Sequence, residues 1–259
     1  MSILTHHASH SKGQATGFII LGIVVLAIVL LILYLRGQLS LGPLTPPKFG
    51  DESLADHIQG CIAEVSPDFF TRIGLQGGHL STPEGTFRLQ KDISVSYLCY
   101  NIPGKPQCAN RLLTLHDMET ELAAAIDQAL NTCIRYDKFR KRGAQLTIGQ
   151  RSVTVIIGID ESIVTVTQPI TITRGDKVTS EDTFSHTFSI PLGRLYDVSQ
   201  DILDLETSIG EFEQLTYMLA YKGEYIIDKK KPYPDKLYIL QTKDSNYLFQ
   251  FFIQGEPLY

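Results

Sequence analysis

Between Lys12 and Arg36 the chain carries no charged side chain, and this run, GQATGFIILGIVVLAIVLLILYL from Gly13 to Leu35, is 23 residues long. At 1.5 Å per residue a helix of that length spans about 34 Å, enough for the roughly 30 Å hydrocarbon core of a bilayer. The run predicts a transmembrane helix over residues 14–36. Residues 1–13 precede it as a leader or cytoplasmic tail. A secretory leader has an apolar core of about 7–15 residues followed by a small-residue cleavage site. Here the run is longer and RGQLSLGPL follows, with no A-x-A pattern. The reading is therefore a retained anchor.

Charge does not fix the orientation. Lys12 and the amino terminus stand against Arg36 and Lys48, close to a tie under the positive-inside rule. The cysteines break it. Cys61, Cys99, Cys108 and Cys133 all follow the apolar run, and an even number placed there suits an oxidising exterior. Cys99 and Cys108 flank YNIPGKPQ, a turn-rich stretch that a bridge would close. Cys61 lies on an apolar stripe with Leu54, Ile58, Ile62 and Val65. Cys133 lies on a second stripe with Met118, Leu122, Ile126 and Leu130. Two helices packed by these stripes could meet at the two sulfurs. Four cysteines allow three connectivities, and the spacing leaves all three open.

Past residue 36 the chain holds 21 basic and 28 acidic side chains. That balance argues against nucleic acid as a partner, because such binding neutralises phosphates with Lys and Arg. Residues 37–50, GQLSLGPLTPPKFG, read as a proline- and glycine-rich tether. Residues 51–259 read as an α+β ectodomain, an antiparallel sheet with packed helices, in which the change of pattern allows two subdomains, 51–143 and 144–259.

Within it a helix is expected from Asp51, broken and restarted at Ser66-Pro67, with serine as cap and proline at the first helical position. GTFRLQKDISVSYLCYN reads as one or two strands. Leu115 to Phe139 reads as the longest helix of the domain, and its basic end, KFRKR, suits a helix C-terminus. From Leu146 to Ile190 Val, Ile and Thr alternate in β fashion, with turns at Asp160-Glu161 and Arg174-Gly175-Asp176. Pro191–Leu205 and Glu211–Tyr221 read as helices. Strands follow near Glu224–Ile227, Lys236–Gln241 and Tyr247–Ile253.

Taken in order, several motifs resemble a family of membrane-anchored proteins from DPANN-type archaea. They are Lys12-Gly13-Gln14, Cys61-Ile62, GLQGGHL from Gly74 to Leu80, a helix closing on Cys133, IPLGRLYDVSQDI from Ile190 to Ile202, and a final YLFQFFI. The resemblance implies an exported, anchored domain and carries no established activity, so it transfers no active site. Cys99 and Cys108 depart from the family pattern. Lys12-Gly13-Gln14 also resembles the class III signal of pilin-like precursors, which implies processing between Gly13 and Gln14. The early glutamate of such filament helices is missing here.

Chemical motifs are few. His6, His7 and His10 precede the apolar run, and His57, His79, His116 and His186 are scattered, with no H-E-x-x-H and no C-x-x-C. There is no G-x-S-x-G and no glycine-rich phosphate loop. Acids such as Asp160, Glu161, Glu181 and Asp182 fall at expected turns, where solvated carboxylates are ordinary. LDL and DKKKPYPDK read as helix and hairpin surface. The sequence thus calls for no catalytic residue, metal or cofactor. The expectation is a single-pass protein of the cell membrane, its domain outside. It touches lipid through residues 14–36 and has an unidentified protein or envelope ligand. A pilin-like filament subunit is the alternative, and an envelope hydrolase the third.

Overall fold

The computed structural model describes residues 53–105 and 108–255, together with Ile20, Gly22 and residues 24–26, which are helical. The expected leader, the Gly13–Gln14 processing site, the rest of the 14–36 helix and the tether lie outside the described residues. Among the described residues no helix is long and apolar enough to cross a membrane. Residues 52–259 form one compact unit, a mixed α+β domain of two sheets with helices against them.

The first helix, α1, is Leu54–Leu75. It starts where Ser53 caps it: the Ser53 hydroxyl accepts from the Asp56 N–H at 3.0 Å and the Asp56 carboxylate accepts from the Ser53 N–H at 3.3 Å. No break occurs at Ser66-Pro67. Pro67 sits inside a continuous helix, at the loss of one backbone hydrogen bond. Buried Leu54, Ile58, Cys61 and Ile62 on one side of it, and Phe70 and Ile73 on the other, hold the two halves in line.

The hairpin β1 (Phe87–Gln90) and β2 (Ile93–Tyr100) turns through Lys91 and Asp92, both at positive φ. A short β3, Ala109–Asn110, pairs the end of β2. The expected Leu115–Phe139 helix is two helices, α2 (Leu115–Cys133) and α3 (Tyr136–Lys141). Ile134 is buried in extended conformation between them. The apolar spacing continues through the break because Phe139 is also buried, though from a separate helix. At 19 residues α2 is shorter than α1, which has 22.

The remaining elements are β4 (Gln145–Ile148), β5 (Ser152–Ile157), β6 (Ser162–Arg174), β7 (Lys177–Phe188), α4 (Leu192–Ile209), α5 (Gln214–Ala220), β8 (Tyr225–Lys230), β9 (Lys236–Thr242) and β10 (Phe249–Ile253). In one sheet β6 is central, with β7 along one edge and β4 and β5 end to end along the other, all antiparallel. The other runs β1-β2-β10-β9-β8. Its β2–β10 pair is parallel, which the expectation of a wholly antiparallel sheet did not include. Because β2 pairs β10, residues 51–143 and 144–259 share one sheet.

Helix α1 packs against α2, β7 and β10, and so touches both sheets, while α4 packs against β2, β3, β9 and β10. One continuous core joins them. A smaller cluster, Val95, Leu237 and Phe252, lies on the opposite face of the larger sheet. All five residues of β10 are buried, so its phenylalanines serve both clusters. The cysteines take one of the three open connectivities. Cys61 bonds Cys133 between α1 and α2, with Cα atoms 5.7 Å apart, and Cys99 bonds Cys108 across the β2–β3 loop, at 5.3 Å.

Candidate functional site

The end of α4 and the start of β9 enclose a polar concavity at which two charged groups converge. It is a cleft of about 650 Å³ lined by Asn101, Glu206, Ser208, Lys236, Gln254 and the Cys99–Cys108 bridge, among others. Its wall is an ion network. The last turn of α4 delivers Glu206, whose side chain is 2% exposed, to Lys236 of β9, with Nζ to Oε2 at 2.6 Å. The Tyr238 hydroxyl donates to the other Glu206 oxygen. Lys236 Nζ also donates to the Gly210 carbonyl at 2.6 Å and to Glu211 at 3.1 Å. Glu211 in turn accepts from Lys229, whose side chain is 3% exposed and lies over the Tyr238 ring. Lys229 also donates to the Phe212 carbonyl at 2.8 Å.

The electrostatics follow from these contacts. Burial opposes the charge on Lys236, but the hydrogen bonds to Glu206 and Glu211 outweigh it and its pKa is raised. The hydrogen bond from Lys229 leads in holding the Glu211 carboxyl down to about 2. Burial, then the hydrogen bond to Glu206, raises the Tyr238 pKa. Every ammonium hydrogen of Lys236 has an acceptor, and both Glu206 oxygens accept. A nucleophile or general base needs an uncommitted lone pair within reach of substrate. Glu206 and Lys236 are committed to each other, so this wall can shape and polarise a cleft but is not set up to transfer a proton.

These residues were missed in the sequence. LDL and DKKKPYPDK were expected on the surface; instead Glu206, just past LDL, and Lys229 and Lys236, within DKKKPYPDK, form the buried network. Strand parity carried the signal: Ile227 is buried, and Lys229 two residues on shares its face.

The motifs behind the family resemblance turn out to be joints of the fold. In GLQGGHL, Gly78 has φ 90° and a Cβ there would strike Met118 of α2. His79 is buried beside Glu121, 3.7 Å away, and Glu121 also accepts from the Leu80 N–H at 2.8 Å. Burial leads in lowering the His79 pKa. In IPLGRLYDVSQDI, Gly193 lies against the Gly158 carbonyl, where a Cβ has no room. Arg194 beside it pairs with Asp160 of the β5–β6 turn at 2.5 Å and with Glu224. His57, His79, His116 and His186 do not converge, and among the described residues no three His, Cys, Asp or Glu are grouped to hold a metal. The four cysteines lie in two bridges at separate places, and only Cys99–Cys108 borders the cleft.

No protein family, curated protein or solved structure matches the chain.

Proposed function

We propose that this chain is a single-pass membrane protein whose residues 14–36 anchor a non-enzymatic, disulfide-stabilised domain outside the cell membrane, for binding or envelope organisation. The observation that carries the reading is the cysteine pairing: all four cysteines follow the uncharged run and all four are bonded. Structural disulfides persist in oxidising compartments and not in a reducing cytosol. The committed charges around the 650 Å³ cleft support binding over catalysis. Ser208, whose hydroxyl donates to the Asp204 carbonyl, and Asn101 and Gln254, whose side chains each bond the other's backbone, line the cleft beside the charges, and this neutral polar lining suits an uncharged polar ligand.

Protease treatment of intact cells, followed by detection of residues 53–255, tests the topology. Digestion without lysis is the expected result. Protection until the membrane is opened would place the domain in the cytosol and end the reading. The resemblance to class III signals adds that the mature chain begins at Gln14, which mass spectrometry of the N-terminal peptide reads.

A further inference from the structure

Glu181 of β7 carries an unsatisfied acceptor. Its Oε2 is shielded from solvent and, among the described residues, accepts no hydrogen bond. A buried acceptor without a donor bears the full cost of its lost hydration. The same side chain lines a groove of about 240 Å³. Leu54 of α1, Phe139 of α3, Leu146 of β4 and Ile172 of β6 give that groove apolar walls.

Strand register sets what stands at the other end. Glu181 lies opposite Ile170, Thr179 opposite Ile172, and Lys177 opposite Arg174, the last pair closing the β6–β7 hairpin. Alternate residues of a strand share a face, so Lys177, Thr179 and Glu181 follow one another along the groove. Arg174 and Lys177 both line it and are exposed. Like charges directly opposite across a hairpin are unfavourable. Among the described residues neither cation pairs with an acid, Asp176 of the intervening turn included. The groove thus has an unmet acceptor at one end, two unpaired cations at the other and hydrocarbon between. Four residues of strand separate the ends, about 13 Å at 3.3 Å per residue.

We infer that this groove binds a short free peptide, its terminal ammonium on Glu181, its terminal carboxylate on Arg174 and Lys177, and one apolar side chain between the walls. The charges choose that occupant. A simple cation meets Arg174 and Lys177, a simple anion meets Glu181, and a neutral apolar ligand leaves both ends unpaired. A ligand with one charge of each sign makes a charge-assisted contact at both ends. An extended chain of three or four residues spans about 10–14 Å, which matches the separation. At about 240 Å³ the groove admits one side chain of such a peptide, and the two ends lie along its rim. None of these residues lines the cleft at Glu206 and Lys236, so this is a second site.

Equilibrium dialysis of the full chain in detergent micelles tests this with radiolabelled Ala-Leu-Ala, its N-acetyl form, its C-terminal amide and Ala-Asp-Ala. Free Ala-Leu-Ala should bind with a Kd below about 1 mM. Each blocked form should bind at least about tenfold more weakly, because one charge-assisted contact is gone. Ala-Asp-Ala should also weaken, because its carboxylate would enter an apolar groove. Glu181→Gln should erase the preference for the free amine and keep that for the free carboxylate. The variant R174Q/K177Q should do the reverse. Both variants are checked for an unchanged urea midpoint, and if either unfolds the blocked peptides on wild type decide alone. No retention of Ala-Leu-Ala at about 1 mM overturns the inference. So do blocked peptides that bind as well as the free one. A preference for the free amine that survives Glu181→Gln also overturns it, since the peptide then sits elsewhere.

Discussion

The most consequential single side chains in this domain are Glu206 and Lys236. Removing one partner of a buried pair leaves an uncompensated charge, at a cost of about 3–5 kcal/mol. Lys236→Met should therefore lower the free energy of unfolding by about 3 kcal/mol in urea titration. The double variant Glu206→Gln/Lys236→Met should lose less than the sum of the single changes, because the stranded carboxylate is gone. A loss below about 0.5 kcal/mol for Lys236→Met would mean the pair is solvated. Glu211 makes the network pH-sensitive. Its pKa falls from an ordinary 4.5 to about 2 on folding. The unfolded chain thus binds the extra proton between those values, and the Glu211 contribution is complete above about pH 4.5 and lost as pH falls to about 2. Wild type should lose more stability over that window than Glu211→Gln, measured by denaturation at a series of pH values. Strand parity pointed to Lys229, but the Glu206–Lys236 pair was not visible in local sequence. Glu206 and Lys236 are 30 residues apart, and no composition rule joins a helix end to a strand that far away.

At the scale of elements, the helices were legible from their apolar stripes, but their starts were not: α1 begins past the expected Asp51, where Ser53 and Asp56 form a capping box, and Thr114 with Asp117 forms another ahead of α2. The strands from Gln145 to Phe188 were legible because β-branched residues alternate and Gly175 marks the turn. Ser66-Pro67 misled because the same dipeptide that starts helices also survives inside one when both flanks are buried. Pro67 is exposed and forfeits a helical hydrogen bond, so Pro67→Ala should raise stability by about 1–2 kcal/mol, read from the urea midpoint. A fall would show that Pro67 makes a contact worth more than the missing bond. The two bridges should differ in weight. Cys61–Cys133 spans 72 residues and Cys99–Cys108 spans nine. On loop-closure entropy the first contributes about 4 kcal/mol and the second about 2.5 kcal/mol. Cys61→Ala/Cys133→Ser should accordingly destabilise more than Cys99→Ala/Cys108→Ser in the same titration.

For the whole molecule, what was legible is the order of parts: an uncharged run, a breaker-rich segment, then a domain of helices and strands. The arrangement of that domain was not. The parallel placement of β10 beside β2 joins residues about 150 apart, and only a strand apolar on both faces, such as FQFFI, hints that it lies in the middle of a sheet. This pairing, with α1 touching both sheets, binds the two halves of residues 52–259 into one unit. Unfolding of the domain should therefore follow a single transition, with far-UV dichroism and tyrosine fluorescence superimposing. Two separated transitions would restore the division near residue 143.

The central claim is that the chain is membrane-held with its domain in an oxidising space. The most direct measurement is the intact mass of the protein taken from its native membranes, alkylated before and after reduction. The expected spectrum shows no alkyl group before reduction and four after it. Four alkyl groups before reduction would contradict the account, because free Cys61, Cys99, Cys108 and Cys133 would place the domain in the cytosol.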